Sequence, residues 1–310
     1  MRVHVLLASF RGQKFLPTQL ESILNQQGVS PIVHISDDES ALACSEFLFQ
    51  EISFMKHRQV IDVKDGPRQG VNANFLSLLH CSEAADGEFY AFSDQDDFWL
   101  PNKLSVALAA IKSEANTEKT PCVYMGRTNI CDGDLNYLCL SKPKPRAAGF
   151  QNALLELIAG GNTMVFNQHT LRLLKKIDHP AHHDWLTYLV VTACGGTVVF
   201  DDEPYVLYRQ HGANVIGANN GVTQKLYRLR KLLNNEFRGW AADNIEALKP
   251  IVDDMTAENR RVYEGFVRLH HMRGWNRCFS RLSLFRKLGL YRQRRLEHFG
   301  FMLAAFCGKV

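Results

Sequence analysis

The segment AFSDQDDFWLPNKL, which begins at Ala91, places three carboxylates within four residues directly after an apolar run. On an extended backbone, Asp94 and Asp96 point to the same side, with Cα atoms about 6.5 Å apart. Such carboxylates repel each other, whereas Mg²⁺ or Mn²⁺ binds a few of them and leaves positions for phosphates and water. The pattern therefore predicts a divalent metal site. The alternative is a solvated acidic turn, with Asp97 as the N-terminal charge of a helix that begins at Pro101.

Two further carboxylates, Asp37 and Asp38, end the apolar segment PIVHISDD. One of them could accept a hydrogen bond from a base or a ribose hydroxyl, and either could instead cap a following helix. The segment DGPRQGVNANF then offers Arg68 near a strand end and Gly70 before a helix start. A glycine ahead of a helix N-terminus suits a bound anion, although such turns are common.

A third candidate lies in HHDWLTYL, where Asp184 falls near a helix start between His183 and Trp185. Its carboxylate could cap the helix or act as a general base, and the residue types leave both possibilities open. A lone histidine, His211, occurs in YRQHG. Lone histidines most often serve the structure, so this segment alone does not predict a ligand.

The elements that must position these residues alternate along the first two hundred positions between β-like apolar runs and segments of helical spacing. This alternation predicts an α/β fold with a mostly parallel sheet. In such sheets, ligands bind at the carboxyl ends of the strands. The predicted strand ends carry Ser9, Asp37, Asp65 and Asp94, so polar residues gather where a ligand would lie.

Further along, the pattern is mixed. One strand is predicted in PCVYMGRTNICD, and a helix, a glycine pair and a strand are predicted in NALLELIAGGNTMVFN. From about Thr223 onward the pattern is helical only. Of the 310 residues, 46% are hydrophobic and 22% are charged, as in a globular protein with a core.

The sequence lacks two features that would direct the protein into or across a membrane. No apolar run approaches the roughly 18 residues of a membrane-spanning helix. The N-terminal MRVHVLLASF predicts a first strand and not a signal peptide. The eight cysteines lack metal-ligand spacing, which predicts free thiols in a reducing cytoplasm.

Taken together, VLLASFRGQKFLPTQLESILNQQ, ISDDES, FSDQDDFWLPNKL, AGGNTMVFN, HDW and VLYRQHGANVIG resemble the family 2 inverting glycosyltransferases of GT-A fold. The closest similarity is to the bacterial rhamnosyltransferase-like branch, over roughly residues 2–217. The resemblance implies a Rossmann-like mixed sheet flanked by helices, with a C-terminal helical extension. It implies a nucleotide-sugar-dependent catalytic domain at 1–217 and a basic helical region at 218–310.

The resemblance also assigns roles to the polar residues. Asp94, Gln95 and Asp96 match the DxD motif that holds Mg²⁺ or Mn²⁺ and the donor diphosphate. Asp184 matches the catalytic base, and His211 matches a histidine that in some relatives completes the metal shell.

Other matching positions contact the donor. Ser9, Asp37 or Asp38, and Arg68 match positions that hold the nucleoside, and Gly161-Asn162 lies where relatives line the sugar pocket. Relatives more often have Gly-Cys or Gly-Ser at that pair, and DDGS where this chain has DDES, so the donor sugar stays open.

The implied reaction transfers a sugar from a dTDP- or UDP-linked donor to a hydroxyl of a glycan or lipid-linked acceptor, with inversion, in cell-surface polysaccharide biosynthesis. A metal-dependent nucleotidyltransferase is one alternative, but it would need a Gly-rich, basic first loop, and ASFRGQKFL contains one glycine. A non-catalytic nucleotide-sugar or glycan-binding protein is another alternative, against which Asp184 argues.

The C-terminal part is strongly basic. Residues 221–310 contain 18 Lys and Arg against 8 Asp and Glu, whereas residues 1–220 contain 18 against 24. From Arg268 to Val310, basic residues alternate with large apolar ones, which predicts helices on an anionic membrane surface. The protein would then be cytoplasmic and peripheral on the inner face of the cytoplasmic membrane. The alternative is a helical bundle packed on the catalytic domain; no motif indicates a nucleic-acid partner.

Overall fold

The computed structural model describes residues 1–39, 61–210 and 236–309. Its strands are Arg2–Ser9 (β1), Ser30–Asp37 (β2), Ile61–Asp65 (β3), Phe89–Ser93 (β4), Phe98–Trp99 (β5), Cys122–Gly126 (β6), Asn129–Cys131 (β7), Tyr137–Leu140 (β8), Val165–Asn167 (β9), Thr197–Asp201 (β10) and Val206–Arg209 (β11). They form a seven-stranded sheet in the order β10-β6-β9-β4-β1-β2-β3 and a four-stranded sheet in the order β5-β11-β7-β8.

The helices lie mainly between these strands and after them. They are Leu16–Leu24 (α1), Val71–Cys81 (α2), Lys103–Ser113 (α3), Phe150–Ala153 (α4), Gln168–Leu174 (α5), His183–Ala193 (α6), Glu236–Leu248 (α7), Ala257–His271 (α8), Cys278–Lys287 (α9) and Arg295–Phe306 (α10). The segment SALACSEFLFQ, whose residue pattern predicts a helix, lies outside the described residues. The seven cysteines within the described part are free thiols, as predicted.

Parallel pairing brings several strand ends to one edge of the main sheet. β1 runs parallel to both β2 and β4, so Ser9 lies opposite Asp37 and Leu7 lies opposite Ser93. β2 pairs with β3 in parallel, which places Asp65 next to Asp37. β9 runs antiparallel between β4 and β6, so the sheet is mixed. The predicted fold class is therefore confirmed.

The alternation of β1 side chains explains why the sheet is covered on both faces. Val5 and Leu7 belong to a core cluster that includes residues of α1 and α3. Leu6, which points to the other face, belongs to a cluster with residues of α2 and α6. Each fully buried side chain of this kind stabilises the fold by roughly 1.5–3 kcal/mol. The sheet is thus held rigid beneath the edge where its parallel strands end.

Two element predictions were too coarse. PCVYMGRTNICD forms β6 and β7, in different sheets, and not one strand. The predicted helix in NALLELIAGG is only the four-residue α4. After it, Glu156 accepts hydrogen bonds from Asn152 and from the backbone of Gln293, so a tertiary contact replaces the continuation of the helix.

The C-terminal helices pack against α6, which covers one face of the main sheet. Trp185 of α6 lies 6.5 Å from Phe237 and 6.2 Å from Trp240, measured between ring centroids. Asn259 of α8 donates to the carbonyl groups of Thr192 and Ala193, at the end of α6. Buried residues of the four C-terminal helices belong to the same core cluster as α6. Most of the apolar side chains of these helices are therefore buried in a bundle that packs on the rest of the protein, as the alternative interpretation of the sequence predicted.

Among the described residues, no helix combines the length and apolarity needed to cross a bilayer.

Candidate functional site

The DxD segment lies at the carboxyl edge of the main sheet, immediately after β4. Asp94 follows the last strand residue, and Gln95 and Asp96 form a bend before β5 begins. The extended backbone predicted for this segment is therefore wrong. The bend arises because the chain leaves the main sheet after Ser93 and joins the smaller sheet at Phe98.

The electrostatics of Asp94 show which carboxylates share this edge. Burial, together with the negative charges of Asp96 and Asp184, raises the pKa of Asp94 from 3.8 to about 7. Asp184 is distant in sequence, so the fold brings it within electrostatic range of the DxD motif. Neighbouring carboxylates in a site of low solvation are an arrangement that a divalent cation stabilises.

The residues present fit a divalent ion only in part. Asp94 and Asp96 supply the oxygen ligands that Mg²⁺ and Mn²⁺ prefer. In the described ranges, no group of three or more His, Cys, Asp or Glu residues forms a complete set of metal ligands. The predicted third ligand, His211, lies outside those ranges, and other positions would fall to donor phosphates and water.

Gln95 holds the DxD bend against the loop that follows β1. Its Oε1 accepts from the backbone N–H of Phe10 at 2.8 Å, and its Nε2 donates to the Phe10 carbonyl at 2.9 Å. A Cβ on Gly12 would lie only 2.7 Å from Gln95 Oε1, so a larger residue there would displace the Gln95 amide. The amide of Gln95 is thus occupied by the backbone, and its predicted contact with the donor stays a prediction.

The carboxyl ends of β1 and β2 contain buried polar atoms with no hydrogen-bond partner in the described structure, namely Ser9 Oγ, Ser36 Oγ and Asp37 Oδ1. Asn74 Oδ1 of α2 is also unpaired, and the Nδ2 of the same side chain donates to the Ser36 carbonyl at 2.9 Å. A buried polar group left unpaired costs about 1–3 kcal/mol. A base or ribose that supplied the missing partners would remove this cost, so the cluster fits the predicted nucleoside end of the site.

The two candidate carboxylates at the end of β2 differ in their surroundings. Both oxygens of Asp38 accept from backbone N–H groups, from Arg68 at 2.7 Å and from Gly70 at 2.8 Å. These bonds hold Arg68 in the left-handed region, at φ 59°, just before α2. Asp38 therefore shapes the loop, while Asp37 keeps an unpaired oxygen. The side chain of Arg68 is exposed.

Asp184 lies in the first turn of α6. The N-cap residue of that helix is His182, so Asp184 does not occupy the capping position. Its Oδ1 accepts from the backbone N–H of Trp185 at 2.8 Å, and Trp185 Nε1 donates to the carbonyl of Ala153 at 2.6 Å. The helix start is thus anchored, which gives the Asp184 carboxylate a fixed position.

Gly161 packs directly behind this carboxylate. A Cβ at position 161 would lie 2.5 Å from His183 Nε2 and 3.2 Å from Asp184 Cβ. The His183 ring cannot retreat easily, because it stacks on Phe75 at 3.7 Å and meets the edge of Phe92 at 4.8 Å. Gly161 therefore supports Asp184 from behind, and its predicted place in the sugar pocket stays a prediction.

Replacing Gly161 with alanine is expected to displace the first turn of α6 and lower turnover by about 10²-fold, the typical effect of a small misplacement. Nucleoside diphosphate release by the purified protein measures this effect. Gly239→Ala is the matched control, since a Cβ there meets no atom within 4 Å. Equal turnover in both variants would contradict the role given to Gly161.

His183 predicts a pH dependence of stability. Burial lowers its pKa from 6.5 to about 4. The unfolded state therefore binds the proton more readily, so the contribution of His183 is complete above pH 6.5 and is lost as the pH falls towards 4. His183→Leu should reduce the loss of unfolding free energy over this range by roughly 3 kcal/mol. Urea unfolding at pH 7 and pH 4.5 measures it; equal losses in variant and wild type would contradict it.

Two residues beneath the DxD bend, Asp97 and Arg209, were not predicted to belong to the site. The sequence suggested Asp97 only as a possible charge at a helix start, but this side chain is 0% exposed and interacts with Asn162 and Arg209. Burial and the charges of Asp94 and Asp96 raise the pKa of Asp97, while its hydrogen bonds lower it. Arg209 Nε donates to the carbonyl of Asp96 at 2.9 Å. The burial of Asp97 could have been predicted from the sequence, because the apolar pair Phe98-Trp99 follows it directly.

Comparisons with known proteins found similar sequences and similar folds. The chain matches no established protein-family model. It is 24% identical over 279 residues to the dTDP-rhamnosyl transferase RfbG of Shigella flexneri, covering 84% of this chain and 89% of that protein. It is 23% identical over 227 residues to an uncharacterized glycosyltransferase of Nostoc sp., covering 69% of this chain and 66% of that protein.

Solved structures show the same fold. Residues 1–349 of S. aureus TarS in complex with UDP-GlcNAc match with a TM-score of 0.57 at 14% identity, over 98% of this chain and 90% of that one. The mannosyltransferase PcManGT of Pyrobaculum calidifontis, in complex with GDP-Man and Mn²⁺, matches with a TM-score of 0.50 at 15% identity, over 99% and 85%. The solved structures show that the chain has the GT-A fold, and both of the similar sequences are glycosyltransferases.

Proposed function

We propose that this chain transfers a sugar from a nucleotide-diphosphate donor to a hydroxyl of a glycan or lipid-linked acceptor, with inversion, during cell-surface polysaccharide synthesis. The observation that carries the proposal is that Asp96 and Asp184 both lie within electrostatic range of Asp94 at the carboxyl edge of the sheet. The similarity to a dTDP-rhamnosyl transferase favours a dTDP-linked donor over a UDP-linked one.

The chemistry follows from charge. Asp94 and Asp96 would hold Mg²⁺ or Mn²⁺, with His211 as the predicted further ligand. When bound, the ion would neutralise the negative charge that develops on the departing diphosphate. Ser9 and Asp37 would hold the nucleoside, within a pocket whose shape Asp38 maintains through the loop at Arg68.

Asp184 is the proposed general base. Its carboxylate would accept the proton of the acceptor hydroxyl as the oxygen attacks the anomeric carbon from the side opposite the diphosphate. General-base help of this kind contributes roughly 10²–10⁴-fold to the rate. A single displacement inverts the anomeric configuration, so no covalent enzyme nucleophile is required.

A donor screen tests the proposed function. Purified protein with Mn²⁺ or Mg²⁺ is incubated with dTDP-rhamnose, UDP-GlcNAc, GDP-mannose and other nucleotide sugars, and melting temperature and nucleoside diphosphate release are measured. We expect one donor class to raise the melting temperature and to be hydrolysed slowly without acceptor. If no donor changed the melting temperature and none released its diphosphate, the proposal would be wrong.

We propose in addition that the C-terminal helices rest on an anionic membrane surface, the inner face of the cytoplasmic membrane. Leu296, Phe299 and Leu303 recur at helical spacing on α10 and are 86%, 61% and 63% exposed. Phe279 of α9 is 80% exposed, and its ring meets that of Phe306 at 5.4 Å. We call these four exposed side chains, Phe279, Leu296, Phe299 and Leu303, the apolar ridge.

The helices that carry the apolar ridge also carry exposed basic side chains. Arg286, Lys287, Arg294 and Arg295 are exposed on or beside the same two helices. From Arg268 onward the chain contains ten Lys and Arg and one acidic residue, Glu297. Each basic residue near an anionic bilayer contributes about 1 kcal/mol to binding, and the apolar side chains add the free energy of leaving water.

The variant Leu296→Ser/Phe299→Ser/Leu303→Ser is expected to bind phosphatidylglycerol-containing vesicles more than tenfold less tightly than wild type, because each side chain contributes roughly 1.5–3 kcal/mol when buried. Vesicle co-sedimentation measures this. Leu138→Ser is the matched control, since Leu138 is 55% exposed but lies in β8, outside the ridge. Equal binding by both variants, or no preference for anionic over neutral vesicles, would contradict the membrane proposal.

A further inference from the structure

Asp97 joins three segments of the candidate site from below. One oxygen accepts from Asn162 Nδ2 at 2.5 Å, and the other accepts from the backbone N–H of Arg209 at 3.3 Å. The side chain of Asp97 is fully buried, and Asn162 is 4% exposed. Asp97 therefore lies beneath the reacting groups and makes no contact with solvent.

Each joined segment carries or supports a group needed for transfer. Asp97 itself follows Asp96, whose carbonyl also receives a hydrogen bond from Arg209 Nε. Asn162 lies in the turn Gly161–Thr163, and Gly161 packs against His183 and Asp184. Arg209 ends β11 and is packed over the ring of Phe15 at 4.6 Å.

We propose that Asp97 is a positioning residue that fixes the DxD bend relative to the start of α6, and so sets the placement of Asp94 and Asp96 relative to Asp184. This inference rests on the proposed function. The connection runs from Asp97 through Asn162 to Gly161, and from there to Asp184 by direct packing. A change in the Asp97–Asn162 hydrogen bond would shift these carboxylates relative to one another.

A carboxylate serves this position better than an amide because both of its partners donate. The two oxygens of an ionised carboxylate accept from two directions, whereas an asparagine offers one oxygen and one NH₂ group. In the Asp97→Asn variant, the new amide would therefore satisfy Asn162 or the backbone N–H of Arg209, but would face the other with a donor. The unpaired group would be buried, where its loss of hydrogen bonding is most costly.

Lys103 is a second buried ionisable residue that interacts electrostatically with Asp97. Its Nζ lies 3.2 Å from the centroid of the Trp99 ring, and its side chain is 1% exposed. Burial lowers the pKa of Lys103 well below its ordinary value, and the charge of Asp97 opposes that change. The two groups thus interact electrostatically within one buried layer under the bend.

A hydrogen-bond swap tests the proposal. Asp97→Asn should lower both turnover and Mn²⁺ affinity by about 10–100-fold, the usual effect of removing a group that orients metal ligands. Asn162→Asp should also impair both, because two carboxylates would face each other. The double variant Asp97→Asn/Asn162→Asp restores the bond with donor and acceptor exchanged, and should recover most of the loss in both measurements.

Mn²⁺ affinity is measured by calorimetry on the metal-free protein, and turnover by nucleoside diphosphate release at a temperature at which every variant is folded. Asn167→Ala is the control: Asn167 is 1% exposed, bonds Thr117, Thr120 and Cys122, and pairs with Phe89 at the end of β4 opposite to Asp94. It should lower the melting temperature but change neither affinity nor turnover.

Two results would overturn the positioning role. One is an Asp97→Asn protein that melts at a lower temperature but keeps wild-type Mn²⁺ affinity and turnover, as a purely structural residue would. The other is a double variant that recovers neither quantity while remaining folded. Failure of the wild-type protein to bind Mn²⁺ or any nucleotide sugar would instead count against the proposed function, so the two failures are distinguishable.

Discussion

Replacing Asp184 with asparagine is expected to lower sugar transfer by about 10²–10⁴-fold, because the amide cannot accept the proton of the acceptor hydroxyl. Asparagine keeps the size of the side chain and an oxygen that can accept from the backbone N–H of Trp185. The helix start should therefore keep its geometry. We expect donor and Mn²⁺ to raise the melting temperature of the variant as much as that of the wild type.

Steady-state turnover and thermal shift on the same samples separate catalysis from binding. Asp178→Asn is the matched control, because the side chain of Asp178 is 94% exposed and lies just before α6. It should keep wild-type turnover. A fully active Asp184→Asn protein would rule out Asp184 as the base, and a variant that also lost donor binding would point to a binding role.

Replacing Asp94 with asparagine is expected to have two effects of opposite sign. Without metal, the variant should melt at a higher temperature than the wild type at pH 8. At that pH the Asp94 carboxylate is ionised beside Asp96 and Asp184, and its raised pKa means that folding loses free energy as the pH rises from the unfolded value of 3.8 to about 7. The amide removes this repulsion.

With Mn²⁺ present, the order should reverse. The wild type gains stability from a ligand that binds only the folded state, and Asp94→Asn loses most of that gain together with its turnover. Differential scanning fluorimetry at pH 8, with and without Mn²⁺, measures both signs. If Mn²⁺ stabilised wild type and variant equally, Asp94 would not be a metal ligand.

Residues 218–310 were predicted to form a separate basic region. Whether they are separate depends on how their helices pack on the rest of the protein, which the local sequence pattern does not show. Phe237, Phe266 and Phe285 are buried in the same cluster as Leu186 of α6. The helices therefore share a core with the catalytic part, and their exposed apolar ridge is a small part of their apolar surface. The boundary near residue 217 lies outside the described residues and stays a prediction.

The sequence alone determined which residues lie at the carboxyl edge of the main sheet. Strand ends can be read from local apolar runs, and in a parallel sheet they meet at one edge, so Ser9, Asp37 and Asp94 could be placed together without a structure. The spacing of Asp94 and Asp96 was likewise local information. This is why the predicted fold class and the acidic edge agree with the observed sheet.

Only the tertiary structure decided what each polar group contacts. Asp97 meets Asn162 and Arg209, which are 65 and 112 positions away along the chain. No periodic pattern encodes such pairings, because they depend on how two sheets and α6 pack against one another. For the same reason, the burial of His183 and the engagement of Asp38 with the loop before α2 could not be foreseen: a polar residue type fixes the capacity for hydrogen bonds, and the fold fixes the partner.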